Sequence, residues 1–206
     1  MTAIDVPANA RSRRTRAALL DATAAVLESD GFEMLTMAEV AHRAGVTRRA
    51  VYLHFTSRAE LLSDLFAQLA DEDALSASAH AVWDAPDAVA ALARYAEHVA
   101  GHQQRLRAVA GAVELLRRTE HDASPYHERI VRRQMSPCRR LATWLDNDGR
   151  LRAPWTPDTA ADLLWMLTAS SMLERLRTDR HWSAARVADH LADLLRSTLV
   201  LPQDTP

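Results

Sequence analysis

The chain has 206 residues, a formal net charge of -2 and 48% apolar residues, so it is long enough to bury a core but lacks the basic total that many nucleic-acid binders carry. Its single cysteine, Cys138, excludes an intrachain disulfide and a cysteine-rich metal site. With no apolar run of membrane-span length and no hydrophobic signal core at the N-terminus, a soluble cytoplasmic protein with no membrane partner is expected.

Glycine is scarce, alanine and leucine abound, and no segment reads as a strand. The expected fold class is therefore all-α, with a small N-terminal domain and a larger helical one. All 25 Lys or Arg residues are arginine, and their distribution says more than their sum. Arg11, Arg13, Arg14 and Arg16 form a basic run, and Arg43, Arg48, Arg49 and Arg58 fall in a second stretch with no acid between Val40 and Ala59.

Residues 1–12 are expected to be a flexible basic arm, either solvated or reaching a phosphate or a minor groove. A helix follows from about Arg13 to Ser29, with Ala18, Leu19, Ala22, Val26 and Leu27 on one face and Gly31 at its end. Phe32 and Leu35 then plug a three-helix core. The stretch TMAEVAHRAGVTRRAVYLHF (36–55) reads as two short helices around a glycine turn. Thr36 caps the first, with Glu39 three residues on as the second half of a capping box. Gly45 closes it in the left-handed conformation, and Thr47 caps the second. Val46 and Val51 supply contacts between them, and small Ala41 allows close approach. This is a helix-turn-helix pattern.

Such a unit presents the start of its second helix to base edges in the major groove. The candidate DNA-binding residues are Thr36, Thr47, Arg48, Arg49, Tyr52, His54 and Arg58. Each arginine is suited either to the O6 and N7 of guanine or to a phosphate. Ser57 caps a third helix, with Glu60 at its third position as a further capping box, and Arg58 in that first turn opposes the helix dipole.

The order TMAEVA, AGVT, VYLHF and SRAELL, preceded by an amphipathic helix ending in DGF, resembles the N-terminal domain of the TetR/AcrR-like family of transcriptional regulators over roughly the first third of the chain. Arg49 and Ala50 stand where that family often has Gly-Thr, and Arg58 where it commonly has Lys. The resemblance implies a helix-turn-helix DNA-binding domain at 13–56 and an effector-binding and dimerisation domain at 57–206. It also implies a homodimer on double-stranded operator DNA, most simply a repressor released by a small-molecule effector of unknown identity. An activator, or a regulator without an effector, is the alternative.

The helix after Ser57 carries Leu61, Leu62, Leu65, Phe66 and Leu69 and is expected to run on through Asp71–Asp73 toward Trp83. Asp84–Asp87, with Pro86, marks a fresh start. Helices are then predicted at Ala88–His102, closing near Gly101, and at Gln103–Arg118. A loop at His121–Pro125 follows, then a helix at Tyr126–Asp146 kinked at Pro137, and a connector at Asn147–Pro157. Thr156 with Pro157 starts a helix to about Thr178, and Ser183 caps the last, to about Leu201. By the resemblance these two supply the dimer interface, through Leu164, Leu167, Thr168, Ser171, Leu191, Leu194, Leu195 and Thr198; two helices from each of two chains make a four-helix bundle.

By the resemblance an effector pocket draws on Tyr95, His98, His102, Tyr126, Met135, Trp165 and Met166, a mostly apolar set with a few polar groups, while for any one of the aromatic and sulfur side chains plain core packing is the alternative role. His98 and His102 at i and i+4 also suit two ligands of a metal site, so a helical metal-dependent enzyme is the competing class. No third ligand, nucleophile motif, phosphate-binding loop or paired-carboxylate motif accompanies them, so no metal, no cofactor and no catalysis are expected.

Overall fold

The computed structural model describes residues 10–74, 76–119 and 124–202. Among them the order is α1 (Ala10–Ser29), a 3-10 turn (Phe32–Met34), α2 (Met37–Arg43), α3 (Arg48–Tyr52), α4 (Arg58–Ala74), α5 (Ala77–Trp83), α6 (Ala88–Thr119), α7 (Ser124–Asn147), α8 (Pro157–Leu167), α9 (Ser170–Thr178) and α10 (Ala184–Leu199). The all-α expectation holds. The one departure is an isolated antiparallel bridge, Leu151 with Val200, where the connector after α7 runs beside the C-terminal residues. Arg152 N donates to Leu199 O at 2.8 Å, and Leu201 N to Arg150 O at 2.9 Å.

The chain forms two compact units. The first comprises the described residues of Met1–Gln68 and Ala108–Ile130, the second those of Leu69–Arg107 and Val131–Pro206. In the first, the apolar face of α1 (Leu19, Ala22, Val26, Leu27) is buried, as are Leu35, Val40, Ala41, Val51, Phe55, Leu61 and Leu62. The core of the second is built by Leu92, Tyr95 and Ala96 of α6, Cys138, Leu141 and Leu145 of α7, Leu164 of α8, and Val187, Leu191, Leu195 and Leu199 of α10.

Five element boundaries differ from the sequence expectation. α1 starts at Ala10, so Arg11 lies in its first turn rather than in an arm; residues 1–9 lie outside the described set. α4 stops at Ala74, and Ser76 caps a separate α5 by accepting from Ala79 N at 3.2 Å. α6 is a single helix through Gly101, because glycine without a following cap or proline costs a helix only about 1 kcal/mol and Gln103 and Gln104 favour continuation. α7 begins at Ser124, inside the expected loop, whose residues 121–123 lie outside the described set. The helix from Pro157 breaks after Leu167: Thr168 turns its hydroxyl back to Leu164 O at 2.7 Å and Ala169 becomes extended at ψ 129° before α9 begins.

Helix starts are set by side chains. Asp87 accepts from Ala90 N at 2.8 Å and Asp148 from Ala88 N at 3.0 Å, so the start of α6 is held partly by the connector after α7.

On α10 the buried residues Val187, Ala188, Leu191, Leu195 and Leu199 form one stripe, and Leu194 lies about a quarter turn off it. Leu195 is 0% exposed and Leu194 46%. Leu195→Ala should therefore cost about 2–5 kcal/mol in urea unfolding; a loss as small as that of a surface substitution contradicts this packing.

Candidate nucleic-acid interface

The reading head is built on two turns of helix and one glycine. Thr36 accepts from Glu39 N at 3.1 Å, which starts α2. Its expected reciprocal bond is not made; Glu39 instead takes Arg43 Nε at 2.9 Å. α2 ends in a Schellman motif: Val46 N donates to Ala41 O at 3.0 Å and Gly45 N to His42 O at 3.1 Å, with Gly45 at φ 64°. An L side chain is strained at that φ, so Gly45 fixes the turn that aims α3. Thr47 then caps α3 by accepting from Ala50 N at 3.2 Å, and Val51 seats α3 on the core at 0% exposure.

What remains outward is short and chemically mixed. Arg48 and Arg49 are exposed in the first turn of α3. The Arg48 guanidinium lies 5.8 Å from the Tyr52 ring centroid, which holds both side chains on one surface. Leu53, just past the helix, is 69% exposed. Sequence reasoning passed over it as an apolar residue within VYLHF; the signal was its position one residue after Tyr52, on the outward side of a stretch whose inward positions, Val51 and Phe55, are both buried.

Several predicted contacts serve the fold. The hydroxyls of Thr36 and Thr47 accept cap bonds. His54 is half-buried. Arg58 packs its guanidinium 4.7 Å from the Phe32 centroid, half-buried in the first turn of α4. Glu60 does not close the expected box on Ser57: its carboxylate reaches one residue further, to Thr56 N at 2.6 Å, while Ser57 accepts from Glu60 N at 3.2 Å. Arg43 is neutralised within the unit by Glu39, Asp30 and the Ser29 hydroxyl, and the Glu39 bond is the chief reason its pKa is raised.

Arg16 departs most from expectation. It does not extend toward nucleic acid: its guanidinium pairs with Asp64, donates to His54 O at 3.2 Å and lies 4.3 Å from the Phe55 centroid. Asp64 also accepts from Arg129 of α7 at 2.9 Å, and Arg129 donates to the buried Ser63 hydroxyl at 2.8 and 3.0 Å. Arg11, Arg13 and Arg14 are exposed in the first turns of α1.

The other predicted sets do not assemble as expected. Tyr95 and Met135 are core residues, and the Tyr95 hydroxyl lies 3.6 Å from Cys138 Sγ, whose pKa is raised by burial. His98 Nδ1 lies 3.0 Å from Ser78 Oγ. Trp165 and Met166 are exposed on α8, with Trp165 Nε1 donating to Gln134 at 3.0 Å. Tyr126 belongs to the first unit, and the His102 side chain lies outside the described set. Of the residues expected at the dimer interface, Leu164, Leu191 and Leu195 are buried in the chain's own core. Leu167, Thr168 and Thr198 are half-buried, while Ser171 and Leu194 are exposed.

Residues 19–65 match the family model described as bacterial regulatory proteins, tetR family. Over 58 residues the chain is 38% identical to an uncharacterized HTH-type transcriptional regulator, TtgW, of Pseudomonas putida, covering 28% of this chain and 43% of that one, so the match spans less than half of the relative's length. In fold it is similar to NalD, the secondary repressor of the MexAB-OprM multidrug efflux pump in Pseudomonas aeruginosa (TM-score 0.68, 24% identity, 95% of this chain and 100% of that chain). It is also similar to the transcriptional regulator FadR of Bacillus subtilis, solved with stearoyl-CoA (TM-score 0.69, 16% identity, 87% and 96%).

Burial, reinforced by the Arg16 charge, holds the His54 imidazolium below its ordinary value of 6.5. As pH falls the unfolded chain takes up this proton first, so the contribution is fully present above pH 6.5 and is lost as pH falls through the folded value. In urea titrations on either side of that pH, His54→Gln should flatten part of the acid-side loss of stability; identical pH profiles for the two proteins would contradict the assignment.

Proposed function

From an N-terminal domain that belongs to the tetR family of bacterial regulatory proteins, we propose that this chain is a homodimeric repressor that reads a two-fold-symmetric operator and leaves it when a small molecule binds. The observation that carries the reading is the α2–Gly45–α3 unit with Arg48, Arg49, Tyr52 and Leu53 turned outward on it. Arg48 and Arg49 pair with guanine edges or phosphates, Tyr52 and Leu53 meet sugars or thymine methyls, and Arg11 and Arg14 reach the backbone. The assigned class is DNA-binding regulation and not the metal-dependent enzyme that His98 and His102 raised.

Dimerisation is supported by large apolar side chains left outside: Trp165 and Met166 on α8, Met172 on α9 and Leu194 on α10. A second copy that covers these surfaces places two reading heads on one face, and their spacing selects an inverted repeat. Repression fits what NalD is described as doing, and release by a small molecule fits the ligand-bound neighbour FadR. An effector that favours a dimer with wrongly spaced heads must weaken DNA binding by the same coupling free energy with which DNA weakens its own binding.

Footprinting on the DNA upstream of the chain's own gene, beside an unrelated duplex, tests the reading: a protected inverted repeat is expected, and equal salt-sensitive binding to both duplexes contradicts it. On the protected site Arg48→Ala and Arg49→Ala should each lose about 1–3 kcal/mol of specific binding and remain dimeric. Leu194→Arg should sediment as a monomer; an unchanged dimer would remove α10 from the interface.

A further inference from the structure

We propose that the cleft between the end of α5 and the last turns of α7 binds a planar aromatic carboxylate. It is an open groove of about 520 Å³, lined by the half-buried Trp83 and Trp144 and by the exposed Arg139, Arg140, Thr143 and Asn147. Five of these residues fall at successive helical spacings on α7, so they form one continuous wall, and Trp83 from α5 makes the other.

The chemistry of the wall is selective. No carboxylate lines it, and among the described residues neither Arg139 nor Arg140 is ion-paired, so two positive charges stand uncompensated beside two indoles. Four other arginines are neutralised by carboxylates: Arg16 and Arg129 by Asp64, Arg43 by Asp30 and Glu39, Arg133 by Asp71; Arg139 and Arg140 instead share with Arg48 and Arg49 an outward position without one. Arg140 is already held in place, its guanidinium 3.8 Å from the Trp83 centroid, so little rotamer freedom remains to be lost on binding. Both tryptophans are half-buried and packed against the core of their unit, which makes them rigid walls.

A carboxylate accepts paired N–H donors from a guanidinium. A flat ring stacks on the Trp144 indole, since one face of Trp83 is already covered by Arg140. The Thr143 hydroxyl and Asn147 amide supply the remaining polar contacts at the rim. Arg139 and Arg140 lie about two turns before the end of α7, where the negative end of the helix dipole is no longer felt. The cleft is on α5 and α7, apart from the exposed apolar residues of α8, α9 and α10, and the proposal does not rest on the DNA reading.

The test is calorimetric titration of the full chain with 2-naphthoate, its uncharged analogue 2-naphthalenemethanol, and inorganic phosphate. Saturable binding of naphthoate at one site per chain is expected, with the alcohol and phosphate each at least tenfold weaker. Arg139→Gln and Arg140→Gln should each weaken naphthoate at least tenfold without moving the thermal midpoint, and Arg140→Lys should not restore it, because it keeps the charge but loses the planar stack on Trp83. Three results would overturn the proposal: no saturation below about 10 mM, equal binding of alcohol or phosphate, or naphthoate affinity unchanged in both glutamine variants.

Discussion

The reading head depends on one carboxylate. Asp64 receives Arg16 from α1 and Arg129 from α7, and Ser63 beside it, buried, takes two further hydrogen bonds from Arg129. Three helices thereby meet on two adjacent residues of α4. Arg16 passes the constraint on, because the same guanidinium holds His54 O and lies against Phe55, two and three residues past the end of α3. Charge-assisted bonds of this kind contribute about 1.5–3 kcal/mol each when partly screened from water, and a charge left without its partner costs more. The outward arginines of α3 are positioned by an internal one.

That arrangement ties the first part of α7 to the segment that follows α3. Arg129 lies in the compact unit that includes α1 to α4, although the rest of α7 from Val131 belongs to the other. α6 likewise contributes Ala88–Arg107 to one unit and its remainder to the other. The Asp64 cluster itself has discrete bonded partners, Arg16 and Arg129, rather than a continuum of contacts.

What the sequence made legible follows from how local each cause was. Thr36, Gly45, Thr47, Ser57, Pro157 and Ser183 act within four residues of themselves, and each starts or ends its helix as expected, although Glu39 and Glu60 do not close the boxes on Thr36 and Ser57. The errors came where the deciding contact was distant or where two local rules competed. Gly101 looked like an end, but nothing after it caps a new start, and α6 continues. Thr168 looked like one more apolar-face residue, but the helix ends at Leu167 and Ala169 leaves the helical conformation before α9. Arg16 was indistinguishable from Arg11 and Arg14 by sequence, since only the fold brings Asp64, 48 residues away, beside it.

The same limit applies to the apolar faces of the last helices. On α10, Leu191, Leu194 and Leu195 are equally apolar, and periodicity places all three near one side. Burial separates them: Leu191 and Leu195 enter the chain's own core, while Leu194 remains outside, as do Trp165 and Met166 on α8. A helix hydrophobic over so wide an arc has two apolar faces, and a single chain covers only one. Leaving the second in water forfeits about 25 cal/mol for each Å² that a partner would cover. The proposed dimer would cover that face and set two of the short five-residue α3 helices on one long site.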